Sequence, residues 1–109
     1  MRSFLAIISI TAILAWITPA FAAGEAAAGK ENYSKKCASC HGTAGEGKDS
    51  IARMLKVELR HLGSREVQAQ SDSELKTVIL EGKGKMKPTA GVDAKTADDV
   101  VAYLRTLKK

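Results

Sequence analysis

Aromatic side chains are scarce in this chain and poorly placed for building a core. Phe4, Trp16 and Phe21 all fall within the first 22 residues, which leaves Tyr33 and Tyr103 as the only aromatics downstream. Bulk is therefore thin, and chains of roughly 80 residues usually need a disulfide, a metal or a cofactor as a staple. Cysteine is scarce too, with Cys37 and Cys40 the whole supply. No stretch alternates apolar and polar residues long enough to argue for a strand, and no internal repeat is present, so the expected class is all-α. The apolar run at the N-terminus falls short of the ~20 residues needed to span a bilayer.

That run has a different reading. Met1-Arg2-Ser3 is followed by an almost uncharged apolar stretch at 4–17 and then by Ala20-Phe21-Ala22, a small-x-small cleavage signal. Residues 1–22 read as a secretory signal peptide cut after Ala22, with an uncleaved N-terminal anchor as the alternative. Its loss takes Arg2 from the 17 Lys and Arg and none of the 12 acids, leaving residues 23–109 as one small domain of 87 residues with a net charge of +4.

Within that domain Cys37-Ala38-Ser39-Cys40-His41 carries the chemistry. A C-x-x-C-H pentad reads as a covalent haem attachment site. Thiols three positions apart on a helical turn can each bond one haem vinyl group, while the adjacent imidazole reaches the iron. Export fits, because such attachment belongs outside the cytoplasm, in the same compartments where disulfides persist. A porphyrin would also bring the apolar surface that the aromatic-poor sequence lacks.

Around the pentad, residues 26–40 set Gly29, Tyr33 and Cys37 on one face at i, i+4 and i+8, which predicts a helix delivering the pentad from its last turn. Residues 42–70, rich in glycine, read as loops with one weak helical turn at 51–56. Ser71 and Glu74 form a capping box for a helix carrying Leu75, Val78 and Ile79 and stopping at Gly82. Thr96 is the expected cap of a last helix with Asp98 and Asp99 in its first turn. Val100, Tyr103, Leu104 and Leu107 make its apolar stripe, and Lys108 and Lys109 close it.

These features together resemble a class I cytochrome c over essentially the whole of residues 23–109. The resemblance rests on Gly29-x-x-x-Tyr33-x-x-x-Cys37 running into the pentad and Gly42, the glycine-rich loop beyond, a methionine in a Gly/Lys loop, and Val100-x-x-Tyr103-Leu104 near the end. It implies first and last helices that cross closely at Gly29, with Tyr33 and Tyr103 packed nearby and one haem c wrapped between them. It also implies Cys37 and Cys40 as thioether anchors, His41 as proximal iron ligand and Met86 as distal ligand. A His/Met pair leaves no open coordination position and raises the reduction potential, which favours electron transfer over substrate binding.

Met86 stands in the polar loop Gly82-Lys83-Gly84-Lys85-Met86-Lys87-Pro88, an odd place for a gap-filling methionine. Lys87 intervenes before the proline that follows the ligand directly in many relatives. Met54, among apolar neighbours, reads as core. His61, in Arg60-His61-Leu62-Gly63, is the competing sixth ligand but reads as a loop residue. The segment Gly42-Thr43-Ala44-Gly45-Glu46-Gly47-Lys48 nearly fits a phosphate loop, yet Asp49 replaces the needed hydroxyl and the segment follows a helix. A zinc site at Cys37, Cys40 and His41 lacks a fourth ligand, and a thioredoxin-type pair lacks its βαβ surround.

Lys83, Lys85 and Lys87 bracket the methionine and would steer acidic redox partners toward an exposed haem edge. The composition of an exported domain makes nucleic acid an unsuitable partner. The expected function is a soluble, monomeric, periplasmic single-electron carrier, not an enzyme. A haem sensor or peroxidase-like enzyme with an openable sixth site, or a haem subunit of a larger oxidoreductase, are the alternatives.

Overall fold

A computed structural model describes residues 24–109, so the signal segment expected at 1–22 lies outside the described residues. The described chain is helical: α1 (Ala26–Lys36), α2 (Ala38–His41), α3 (Asp49–Leu55), α4 (Arg65–Gln68), α5 (Asp72–Glu81) and α6 (Ala94–Thr106). Among the described residues the sole β-type pairing is an isolated bridge between Lys83 and Met86. None of these helices is long and apolar enough to cross a membrane.

The frame is the crossing of α1 over α6, and glycine at position 29 permits it. A Cβ there would strike the backbone carbonyl of Asp99 and come within 3.0 Å of Tyr103 Cβ. Helices can approach this closely only where one side has no side chain. Tyr33, one turn on, is then sealed at 1% exposure, with Val100 of α6 equally buried. The rings of Tyr33 and Tyr103 lie 5.2 Å apart at 56°, a tilted pairing that suits aromatic quadrupoles. Ala97, Val101 and Leu104 of α6 complete the core with Val67 of α4 and Leu75 and Ile79 of α5. Each buried Val, Leu or Ile contributes about 1.5–3 kcal/mol of transfer free energy.

Polar groups lock the ends of this frame. Asp99, buried within α6, accepts from Glu25 N at 2.8 Å and from Lys95 Nζ at 2.9 Å, which seats the start of α1 against α6. Arg105 donates to Gln68 O at 2.9 Å, Gln70 O at 2.7 Å and Asp72 Oδ1 at 2.7 Å. Gln68 in turn donates to Leu62 O and Leu104 O, both at 2.9 Å.

The capping box forms as expected, with Glu74 N bonding Ser71 Oγ at 3.1 Å and Ser71 N bonding Glu74 Oε2 at 2.9 Å. Other expectations need correction. The last helix is capped by Asp93, whose Oδ1 accepts from Thr96 N at 2.8 Å, so Thr96 is the third residue of α6 and the two aspartates sit in its second turn. The first helix does not run through the pentad. It breaks at Cys37 (φ −119°), which closes α1 and opens the separate turn α2. Met54 is not core but 68% exposed, because α3 presents no fully buried face. The turn α4 falls where only loop was expected.

Candidate functional site

The break at Cys37 re-aims the pentad. Cys40 and His41 both bond back to Cys37 O, at 3.2 and 3.0 Å, winding a tight turn on the end of α1. The following loop returns onto that turn: Gly47 N donates to His41 O at 2.7 Å and Lys48 N to Cys40 O at 3.0 Å. Tyr33 Oη donates to Gly42 O at 2.6 Å, pinning the pentad's far end to α1 from inside.

Opposite lies the loop after α5. Gly82 ends that helix at φ +79°, where an added Cβ would stand 2.9 Å from Pro88 N, so only glycine turns the chain here without strain. Lys83 and Met86 exchange two backbone hydrogen bonds, Lys83 N to Met86 O at 2.8 Å and the reverse at 2.9 Å, around Gly84 and Lys85. Thr89 N donates to Ile79 O at 3.0 Å, and Lys36 Nζ to Ala90 O at 3.1 Å. The last bond ties the methionine loop to the end of α1 beside Cys37.

Between these two walls opens a cleft of about 730 Å³, lined by Cys37, Cys40 and His41 on one side and residues 83–90, Met86 included, on the other. Leu55, Val57 and Leu59 form its apolar margin. Behind it an apolar chamber of about 150 Å³ reaches to Tyr33, Leu75, Ile79, Val100 and Leu104, and shares Cys37, His41 and Met86 with the cleft. Prosthetic-group sites commonly fall near 300–1,000 Å³ with apolar walls and few polar groups.

Electrostatics set the state of the donors. Burial, with a smaller contribution from Cys40 next to it, pushes the Cys37 thiol up to about 11, so it is held as a neutral thiol. Burial lowers His41, keeping the imidazole neutral, and its Nδ1 is buried with no hydrogen-bond partner among the described residues. A neutral imidazole with an unpartnered ring nitrogen is what a metal ligand offers. Burial also raises the Tyr33 hydroxyl, which stays protonated as the donor to Gly42. The residues present therefore fit a covalently held haem: the Cys37 and Cys40 thiols, a neutral imidazole and an apolar chamber behind them.

The sequence-predicted site residues Cys37, Cys40, His41 and Met86 come together in one cleft, although Met86 is 45 positions beyond His41. His61 does not join them. Its Nδ1 accepts from Gly63 N at 2.9 Å, a local turn contact, and it lines neither cavity. Lys83, Lys85 and Lys87 do border the cleft, and so do Lys35 and Lys36, which the sequence reading passed over. Their signal was position alone, immediately before Cys37.

A helical domain that crosses its terminal helices beside a cleft holding C-x-x-C-H and a facing methionine is built as a c-type cytochrome. The profile of the family described as cytochrome C oxidase, cbb3-type, subunit III matches residues 24–104, and the chain belongs to this family of cytochrome c domains. It is 34% identical over 92 residues to cytochrome c-554(547) of Halothiobacillus neapolitanus, covering 79% of this chain and 100% of that one. Among solved structures, the KustC0563 c-type cytochrome superimposes with a TM-score of 0.64 at 28% identity, over 74% of this chain and 98% of that one. Cytochrome cL from Hyphomicrobium denitrificans gives a TM-score of 0.59 at 25% identity, over 77% of this chain but 48% of that longer one. The fold is that of an all-α class I cytochrome c, the cofactor is covalent haem c, and the protein is a c-type cytochrome electron carrier.

Proposed function

We propose that this cytochrome is a periplasmic, single-haem carrier with Cys37 and Cys40 as thioether anchors and His41 and Met86 as axial ligands. Residues 1–22 are its export signal and 23–109 the working domain. The haem supplies a one-electron ferric/ferrous couple. The chain's own part is to hold both ligands in place and keep water out. His41 is fixed through its backbone by Gly47 N, and Met86 by the paired bonds to Lys83. The apolar margin of Leu55, Val57 and Leu59 supplies a low-dielectric wall, which limits solvent reorganisation around a change of charge. The lysines bordering the cleft present positive charge where an acidic redox partner would dock.

The observation that carries this reading is the facing of His41 and Met86 across one cleft. The test is a visible spectrum of the purified protein, oxidised and reduced, with and without carbon monoxide. A low-spin spectrum that carbon monoxide leaves unchanged is expected, and Met86→Ala should become reactive to it while His61→Ala should not. Loss of the low-spin spectrum in His61→Ala with its retention in Met86→Ala would overturn the assignment. A reactive wild-type protein would point to a sensor or a peroxidase-like enzyme with an openable sixth site.

A further inference from the structure

We infer that the chamber behind Met86 has a second, lateral opening past Gln70, through which a small anion reaches the iron when Met86 is displaced. The inference rests on the axial-ligand reading above. Beside the main cleft lies another of about 480 Å³, lined by Gln70, Ser73, Glu74, Thr77, Val78 and Lys83. Three of these residues, Gln70, Val78 and Lys83, also line the inner chamber that contains Met86 and His41. The two spaces therefore meet at one shared wall.

The main cleft and the lateral one differ in what haem attachment does to them. Cys37, Cys40 and His41 line the main cleft, and Cys37 and His41 also line the inner chamber, so a haem bonded to them would occupy both. None of the three lines the lateral cleft, which is left open.

The chemistry of the shared wall selects the ligand. Gln70 is held rigidly through its backbone, its carbonyl accepting from Arg105 Nη2 at 2.7 Å and its N–H reaching Val67 O at 3.1 Å. Its side-chain amide makes no hydrogen bond to any described residue, so two N–H donors are free at the passage. Lys83 is exposed and adds an ammonium. Glu74 also lines this cleft, its Oε2 accepting from Ser71 N at 2.9 Å in the capping box. The free Gln70 donors and the Lys83 ammonium are the groups that would take a small monovalent anion such as azide, against the Glu74 carboxylate.

The test uses oxidised haem-loaded Met86→Ala at about pH 6, where lysines stay protonated and do not compete for the iron. Azide association and dissociation are followed by stopped-flow absorbance, alone and combined with Thr77→Trp, which obstructs the lateral cleft from the exposed face of α5. Thr77→Trp should slow both rates by about tenfold with Kd unchanged, since a blocked passage raises the barrier and leaves the end states alone. Ala27→Trp, exposed on α1 and lining none of the three spaces, should leave both rates within about twofold. Unchanged rates with Thr77→Trp, or an equal slowing with Ala27→Trp, would overturn the lateral route. A Met86→Ala spectrum identical to wild type would overturn the ligand reading itself, and the route with it.

Discussion

The hydroxyl of Tyr33 donates to the carbonyl of Gly42 across 2.6 Å, joining the middle of the first helix to the residue that follows His41. Both partners are buried. Tyr33→Phe keeps the ring and its packing on Tyr103 but leaves the Gly42 carbonyl without its donor. Because a buried orphan acceptor costs about 1–3 kcal/mol, the variant should lose stability in that range, read as a lower midpoint in denaturant unfolding with unchanged slope. An unaffected midpoint would mean that water replaces the hydroxyl.

Gly29→Ala tests the helix crossing. The new methyl would meet the Asp99 carbonyl, a backbone atom that cannot rotate away. Overpacking of this kind costs typically 1–3 kcal/mol, and the upper part of that range is expected because α1 and α6 must part along the whole contact. Thermal unfolding followed by far-ultraviolet circular dichroism measures it. In an ordinary exposed helix the same change would instead stabilise by roughly 0.5–1 kcal/mol, so the sign alone decides.

Acid should weaken the same junction. The Lys95 ammonium, then the Glu25 N–H, hold the Asp99 carboxyl below the usual range. A group whose folded value is depressed stabilises above its unfolded value, about 3.9 for Asp, and loses that contribution as pH falls through the folded value. Asp99→Asn should therefore be less stable than wild type near neutrality, with the gap closing as pH is lowered below about 4. Asp99→Asn keeps some acid sensitivity even so, since Asp93, bonded to Thr96 N, is also lowered. Denaturant titrations of both proteins across that interval give the comparison, and a gap that does not narrow would remove Asp99 from the account.

The parts of this molecule that could be read from sequence are those encoded by spacing within one or two turns. The Ser71–Glu74 box and the Gly29–Tyr33 face are local patterns, and the structure realises both, with Cys37 closing α1 instead of continuing it. The cap of α6 was misread because Asp93 and Thr96 are both good caps and stand three residues apart, so local preference cannot choose between them. The turn α4 escaped because Gln68 is held by Leu104 and Arg105, 36 and 37 positions away. Met54 looked like core because its neighbours are apolar, yet α3 is too short to turn a full face inward. Lys36 was invisible as a site residue for the same long-range reason. Its bond to Ala90 O spans 54 positions and exists only once α1 and the methionine loop are docked.

That docking makes the cleft's charge testable. Lys83, Lys85 and Lys87 are exposed at its edge, and Lys35 and Lys36 extend the same border from α1, although Lys35 is paired with Glu31 at 2.9 Å. Fields of clustered like charge change encounter rates by roughly 10- to 1,000-fold at low ionic strength. The triple variant Lys83→Glu, Lys85→Glu, Lys87→Glu should therefore be reduced by the anionic donor ferrocyanide at least about tenfold more slowly than wild type in dilute buffer. With a cationic donor such as hexaammineruthenium(II) the order should reverse. Both differences should vanish near 1 M salt, where screening acts within about 3 Å. Equal rates with both donors at low salt would leave the lysines as solubilising charge only, and docking would then have to be sought on another face.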